Sequence, residues 1–396
     1  MYCLRRNFDI TAIKYLNLNN IIMKICFITT GDIKNIATAK RALGLANPLA
    51  DLGWEVSIIM ENCEENKHRT MMECDSRINL YFFNKCSMTQ ERKKKNDLIK
   101  EINPDFLYIC AFVTRNIVGI KHKCKKIVEH SELQSGIPDM KGLRKLFCYI
   151  YEYYSIIYSD GLLNASRYLQ NIYRRRSKKV FKGKMPMLYY PYAFNTNVVK
   201  VIEKENIKDK FKKYLSQPTL VFLGTVTRNY GVFTIIDAVK QLKDQTRPFN
   251  VLILGKGRHY EDAKTYVSEN YLSDIIEMPG FVDEEDISQY FSVASAFISP
   301  MNDTTQDWAR CPSKMYLYLP YKKPIITCKI GEPYEILQDK GFYYASGNAK
   351  DMATQMKKII ENNKYTADAH AEKHSWNVRA QELDNWIKLT MEIVLL

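Results

Sequence analysis

Residues 310–327 read Arg310-Cys-Pro-Ser-Lys314-Met-Tyr-Leu-Tyr-Leu-Pro-Tyr-Lys-Lys-Pro324-Ile-Ile-Thr327. Two cations stand four residues apart, and the proline between them opens a short helical pattern. Pro324 then enters an apolar, β-rich run. The stretch predicts a loop, a helix and a strand, with positive charge aimed into the loop. Free backbone N–H groups at a helix start add to such fixed charge and make an anion site.

Outward from this segment, short apolar runs alternate with helix-length patterns. In the first half the strand candidates are 25–30, 56–60, 78–83, 106–111, 126–129 and 161–165. In the second half they are 219–224, 250–255, 276–278, 296–299, 324–328 and 342–344. Helical patterns include 37–52, 232–242, 260–268, 284–293 and 349–362. Strands separated by helices predict parallel sheets with crossover connections. The pattern occurs twice, on either side of a break near 190–217 that follows Pro186 and holds Pro191 and the charged stretch from Glu203 to Lys213. The expected fold class is α/β: two doubly wound, Rossmann-like parallel-sheet domains facing across a cleft. Ligands bind such sheets at the carboxyl ends of their strands.

With 396 residues the chain is long enough for two cores. It contains no run of 18 apolar residues, so no membrane-spanning helix is expected. Residues 1–22 lack the apolar block and cleavage site of a signal peptide, and Met23 is an alternative start just ahead of the first strand. Ten cysteines are scattered without a Cys-x-x-Cys pair. That pattern predicts reduced, buried thiols in a cytoplasmic protein rather than a disulfide frame or a zinc site. The six histidines suggest no metal-ligand cluster.

The formal net charge is +14. Residues 1–195 hold 32 Lys and Arg against 18 Asp and Glu, whereas residues 196–396 hold 26 of each. Basic clusters include 92–95, 121–126 and 174–179. A one-sided basic surface attracts an anionic partner such as a lipid headgroup or a phosphorylated acceptor. No nucleic-acid partner is expected, because the clusters lack interleaved stacking aromatics. Residues 143–158 are aromatic-rich with basic residues at their start; they read either as an interfacial helix on an anionic membrane surface or as a buried domain helix.

Several loops add to the first. Gly224-Thr-Val-Thr-Arg228-Asn-Tyr-Gly231 follows a strand and opens a helix, where glycine lets a ligand approach the backbone. Leu252-Ile-Leu-Gly255-Lys256-Gly257 is a second strand-end glycine turn, and Pro279-Gly-Phe281-Val282-Asp283 comes next. In order and spacing this series, ending in the cationic string, resembles the C-terminal domain of the nucleotide-sugar glycosyltransferases of family four, the glycosyl transferases group 1.

The resemblance covers about residues 23–390 and implies a GT-B fold. It implies an amino-terminal extension (1–22), an acceptor-side domain (23–194), a nucleotide-sugar domain (195–370) and a C-terminal helix returning to the first domain (371–396). It assigns donor contacts to Gly224, Thr225, Arg228, Gly255, Lys256, Gly257, Phe281, Val282 and Glu335. Thr225 and Tyr230 stand where the family carries an Arg and a Lys for the donor pyrophosphate, leaving Arg228 as the nearby cation. Arg310 and Lys314 become the phosphate-facing catalytic cations. The family's pair of glutamates eight residues apart falls on Ala309 and Leu317, neither of which accepts a hydrogen bond through its side chain. Asp303 and Asp307 are replacement carboxylates nearby. Gly331-Glu-Pro-Tyr-Glu335 resembles the family's Gly-Gly-x-Pro-Glu turn, with Glu332 at the second glycine.

In the first half, Gly31 and Asp32 leave the first strand on the acceptor side. Glu129 and His130 end another strand, where a histidine beside acids can bind the sugar or act as a base. Asp160-Gly-Leu-Leu-Asn-Ala-Ser166 reads as scaffold. The resemblance implies transfer of a hexose from a nucleotide-sugar to a polysaccharide or lipid-linked acceptor, with retention and with neither a metal nor another cofactor, at the inner face of the membrane. A GT-B sugar-nucleotide epimerase and a degenerate, non-catalytic binding protein stay open as alternatives.

Overall fold

The computed structural model of the protein describes residues 22–33, 38–110, 116, 118–180, 185–196, 199–362 and 365–391. The expected amino-terminal extension, Ile22 apart, lies outside the described residues. The chain packs as two compact units, residues 1–127 and 128–396. It carries two parallel sheets, one of seven strands and one of six.

In the first unit β1 (Lys24–Ile28), α1 (Thr38–Asp51), β2 (Glu55–Glu61), α2 (Glu64–Glu73), β3 (Asn79–Phe83), α3 (Met88–Ile102) and β4 (Phe106–Ile109) alternate. The strands lie in the order β3-β2-β1-β4, and each neighbouring pair is parallel. Residues 25–28 are all fully buried, as a central strand covered on both faces requires. Helix α3 starts on a reciprocal capping box between Ser87 and Gln90 and stops at Asn103 in the left-handed region. Its basic run is not all surface: Lys95 is fully buried and donates to Glu91 Oε1 (2.8 Å) and Asn116 Oδ1 (2.6 Å). Strand β5 (Lys125–His130) holds the junction of the two units.

The second unit begins with α4 (Gly142–Tyr158), β6 (Gly161–Asn164), α5 (Arg167–Lys179) and β7 (Met187–Tyr189), with β6 and β7 parallel. Strand β7 was not among the expected strands. It has three residues between two prolines, too few to display a period of two.

Next come β8 (Thr219–Leu223), α6 (Val232–Leu242), β9 (Asn250–Leu254), α7 (Tyr260–Glu269), β10 (Ile276–Gly280), α8 (Glu284–Val293) and β11 (Ala296–Ser299). Then follow α9 (Thr305–Ala309), α10 (Ser313–Tyr318), β12 (Ile325–Thr327), α11 (Gly331–Leu337), β13 (Phe342–Tyr343), α12 (Ala349–Glu361) and α13 (Trp376–Thr390). The six-stranded sheet runs β10-β9-β8-β11-β12-β13, all parallel. One apolar cluster packs residues of α6, α7 and α12 on the sheet, and another packs residues of α8 and α10. Strand order reverses between β8 and β11, which is where such sheets open a crevice at their carboxyl ends.

Within the unit 128–396, β7 and α5 are tied to the later elements by hydrogen bonds. Ser166, Tyr189 and Tyr190 hydrogen-bond to residues 309, 332 and 379 of the same unit. Helix α13 starts on Ser375, whose Oγ accepts from Val378 N–H (3.4 Å). It lies against β6 so closely that a Cβ on Gly161 would come within 2.6 Å of Trp386. Among the described residues no helix is long and apolar enough to cross a membrane. The nine described cysteines are free thiols, with Cys26, Cys110 and Cys328 buried.

Candidate functional site

Three loops press together at the carboxyl end of the second sheet. Gly224 N–H donates to Leu254 O (2.9 Å), and Gly255 N–H donates to Gly280 O (2.7 Å). Gly255 has φ +122°, and a Cβ there would lie 2.2 Å from Gly224 O. Only glycine permits this approach. Thr225 and Lys256 are exposed at the same edge, and Gly257 sits against Val226 O. Phe281 is 72% exposed, while Val282 turns toward the apolar cluster beneath.

The cationic string meets this edge. Thr304 caps α9 through Asp307 N–H, and Pro312 stands at the start of α10, as its position in the sequence predicts. Between the two helices Arg310 is extended and buried. Its Nε lies 2.9 Å from Asp307 Oδ1, and its guanidinium stacks 4.5 Å from the Tyr230 ring. Lys314 projects from α10 to the first glycine loop. Its Nζ is 4.1 Å from the Phe222 ring centroid and 3.5 Å from the place a Gly224 Cβ would occupy. Burial first, and Arg310 second, hold the Lys314 ammonium well below the ordinary lysine range. Asp307 is pushed up by burial, an effect Arg310 opposes. Glu132 is also raised by burial and partly offset by Arg310. Arg310, paired with Asp307, and Lys314 thus stand at one edge, where an arriving diphosphate favours the charged form of the lysine.

Arg228 points elsewhere. It is exposed, lies 4.5 Å from the Phe233 ring, and lines a cavity of about 520 Å³ with Asp237, Asp262, Tyr266 and Glu269. At the glycine edge the nearby cations are Lys314 and Lys256.

The two positions where glutamates are usual offer no side-chain acceptor. Ala309 is fully buried, and its carbonyl accepts from Ser166 Oγ (2.7 Å); Leu317 packs against the apolar cluster beside α10. Asp303 accepts from Trp308 Nε1 (2.7 Å). Glu335 is exposed on α11. The buried acid of that turn is Glu332, which sequence reasoning did not select. Its Oε1 accepts hydrogen bonds from the hydroxyls of Tyr189 and of Tyr316 (2.9 Å for the latter). Burial pushes its carboxyl up to about 7. The available signal was a glutamate standing where a glycine is usual.

His130 and Glu129 end β5 inside the core. The His130 ring is fully buried, stacks on Tyr173 at 4.0 Å, and has Nε2 2.9 Å from Ser155 Oγ. Burial, helped by Arg176, lowers its pKa to about 3, so the ring is neutral at physiological pH. Glu129 is likewise buried. The structure therefore does not bring these two to the open glycine edge. Gly31 and Asp32 belong to the first unit, where Gly31 O accepts from Asn66 Nδ2 (3.1 Å). One group of metal-ligand type occurs among the described residues, although the histidine pattern suggested none: Asp368, His370 and Glu372, all exposed. Lys322 Nζ lies 2.7 Å from Asp368 and His370 Nδ1 lies 3.2 Å from Glu372, so the three already have protein partners.

Comparison with known proteins bears on this geometry. Residues 203–376 match the family described as glycosyl transferases group 1. The chain is 24% identical over 174 residues to the amylovoran biosynthesis glycosyltransferase AmsK of Erwinia amylovora, covering 43% of each chain. It is 25% identical over 140 residues to the putative colanic acid biosynthesis glycosyltransferase WcaL of Escherichia coli K12, covering 35% of this chain and 34% of that one. The matched region thus spans less than half the length of these curated relatives. The structure of Anabaena Alr3699/HepE in complex with UDP and glucose has the same fold: TM-score 0.74 at 14% identity, covering 93% of this chain and all of that one. The fold is GT-B.

Proposed function

We propose that this chain, whose residues 203–376 form a group 1 glycosyl transferase domain, transfers a hexose from a nucleotide-sugar to a saccharide or lipid-linked acceptor in cell-surface polysaccharide synthesis. The observation that carries the proposal is the convergence of Arg310 and Lys314 on the glycine edge, with Lys314 Nζ beside Gly224. The curated relatives' roles in amylovoran and colanic acid synthesis support the pathway class. The UDP and glucose bound to the Anabaena protein support a nucleoside diphosphate donor.

When the bond between the sugar's anomeric carbon and the diphosphate breaks, its electron pair leaves with the diphosphate. The acceptor oxygen bonds to that carbon, and its proton passes to the departing phosphate oxygen. Charge develops on the diphosphate, which the buried Arg310 and the half-buried Lys314 face. The proposed transfer calls on no protein nucleophile and no cofactor, and the family resemblance supports retention. His130 is held neutral in the core and is left outside the reacting groups. The reaction is assigned to the cytoplasmic face of the membrane.

Ala309 and Leu317 favour one second reading, a protein that binds the donor without transferring it. Thermal-shift titration with UDP-, GDP-, ADP- and CMP-sugars tests donor binding, because a ligand held only by the folded state raises the midpoint. A shift with one nucleotide class, lost in Arg310→Ala and Lys314→Ala, is expected. No shift with any donor rejects the proposed site. A shift without sugar transfer to any extract-derived acceptor selects the binding protein, and donor turnover with no acceptor present selects an epimerase.

A further inference from the structure

Helix α4 is built with its polarity reversed. Toward the core it turns Glu152 and Ser155, both fully buried, together with Ile156. Toward solvent it turns Leu143, Leu146, Phe147, Ile150 and Ile157, which are 51–72% exposed. These positions recur at three- and four-residue spacing and share one face. An ordinary surface helix of a soluble domain has the opposite arrangement.

The inverted face is held in place by charge. Glu152 Oε2 lies 2.6 Å from Arg176 Nη1 of α5 and accepts from Ser135 Oγ (2.7 Å), while Glu152 Oε1 accepts from Ser135 N–H (2.9 Å). The Arg176 guanidinium also stacks 4.7 Å from the Tyr149 ring. Such a clamp fixes the rotation of α4, so the apolar face cannot roll inward without breaking a buried ion pair. Contiguous exposed apolar surface of this kind marks an interaction site.

The charges exposed on α4 and α5 identify the occupant. Lys141, Arg144 and Lys145 are exposed at the start of α4. Helix α5, tied to α4 by the clamp, exposes Arg174, Arg175, Lys178 and Lys179. No acidic residue is exposed on either helix: Glu152 is the only acid in the two and is buried. An apolar face on a helix whose exposed charges, like those of the helix clamped to it, are all positive matches the boundary of an anionic bilayer, where acyl chains lie beneath phosphate headgroups. Long cationic side chains reach up to the headgroups while the apolar face enters the acyl region.

We propose that the outward face of α4, assisted by the exposed cations of α4 and α5, is a docking surface for an anionic lipid bilayer. This deepens the assignment to the membrane made above. It is tested without donor or acceptor, so its failure leaves the transferase proposal standing.

The test is vesicle flotation of the full chain. Vesicles of phosphatidylcholine with about 30% phosphatidylglycerol are compared with phosphatidylcholine alone, at low and high salt. Binding to the anionic vesicles, weakened at least tenfold by high salt, is expected. The triple variant Leu146→Gln, Phe147→Gln, Ile150→Gln is expected to lose at least tenfold in vesicle binding. Its unfolding midpoint and circular dichroism should match the wild type, since the three side chains are exposed. The double variant Arg144→Gln, Lys145→Gln is expected to lose binding to anionic vesicles selectively. Wild-type binding that survives the triple variant overturns the proposal, as does no binding to anionic vesicles. A dimer in light scattering that the triple variant converts to monomer, with no vesicle binding, gives the face to a second copy and also overturns it.

Discussion

Lys314 makes the proposed site testable by pH. Burial, with Arg310 second, depresses its pKa in the free protein. A bound anion raises that pKa again. Between the free and bound values, binding takes up a proton, so affinity for a nucleoside diphosphate falls as pH rises through that window. Calorimetric titration in two buffers of different ionisation enthalpy measures the uptake directly. Zero uptake, or affinity rising with pH, counts against a buried ammonium at the phosphates. Glu332 gives a second titration, read in stability rather than in affinity. Its folded pKa of about 7 lies above its ordinary value of 4.5 because of burial. The native state therefore keeps a proton that the unfolded chain releases. The stabilisation is full below pH 4.5 and is lost as pH rises through about 7. The difference corresponds to roughly 3 kcal/mol. Urea unfolding from pH 5 to 8 should show this fall, and Glu332→Gln should flatten it. An unchanged slope in the variant would place the titrating group elsewhere.

At the scale of elements, the clamp between α4 and α5 predicts a large single-site effect. Arg176→Met leaves the buried Glu152 carboxylate with Ser135 alone as its donor. Removing one partner of a buried pair costs about 3–5 kcal/mol. Denaturant unfolding measures it, and a loss under about 1 kcal/mol would mean that water reaches Glu152. The clamp also marks where sequence patterns stop being informative. Strands β1, β8 and β9 were legible because both faces are covered and the runs are continuously apolar. The glycine edge was legible because its loops follow those strands. Helix α4 was left between a buried and an interfacial reading, since periodicity finds an apolar face without saying which way it points. Glu152 and Arg176, 24 residues apart, decide that direction. The same limit hid Glu332, whose partner Tyr189 is 143 residues away. His130 was correctly placed at a strand end, but its cover by Tyr173 and Ser155 is tertiary.

At the scale of the whole molecule, charge and chemistry are divided along the chain. The net charge of +14 lies entirely within residues 1–195, and residues 196–396 are balanced. The glycine edge, Arg310 and Lys314 all belong to the balanced half and to the second packing unit. Donor binding should therefore be a property of that unit's own loops. Hydrogen exchange with saturating nucleotide-sugar and no acceptor should slow at 224–228, 255–257 and 310–314. Strands β1–β4 of the first unit should exchange as in the free protein. At 100 times the dissociation constant the ligand adds about 2.7 kcal/mol to any opening that releases it. Openings that leave the ligand bound are not slowed, so the pattern separates direct contact from general stiffening. Equal protection in β1–β4 would mean that the donor is shared with the first unit. Protection at 224–228 without any at 310–314 would leave the glycine edge as the nucleotide's seat and remove Arg310 and Lys314 from the diphosphate.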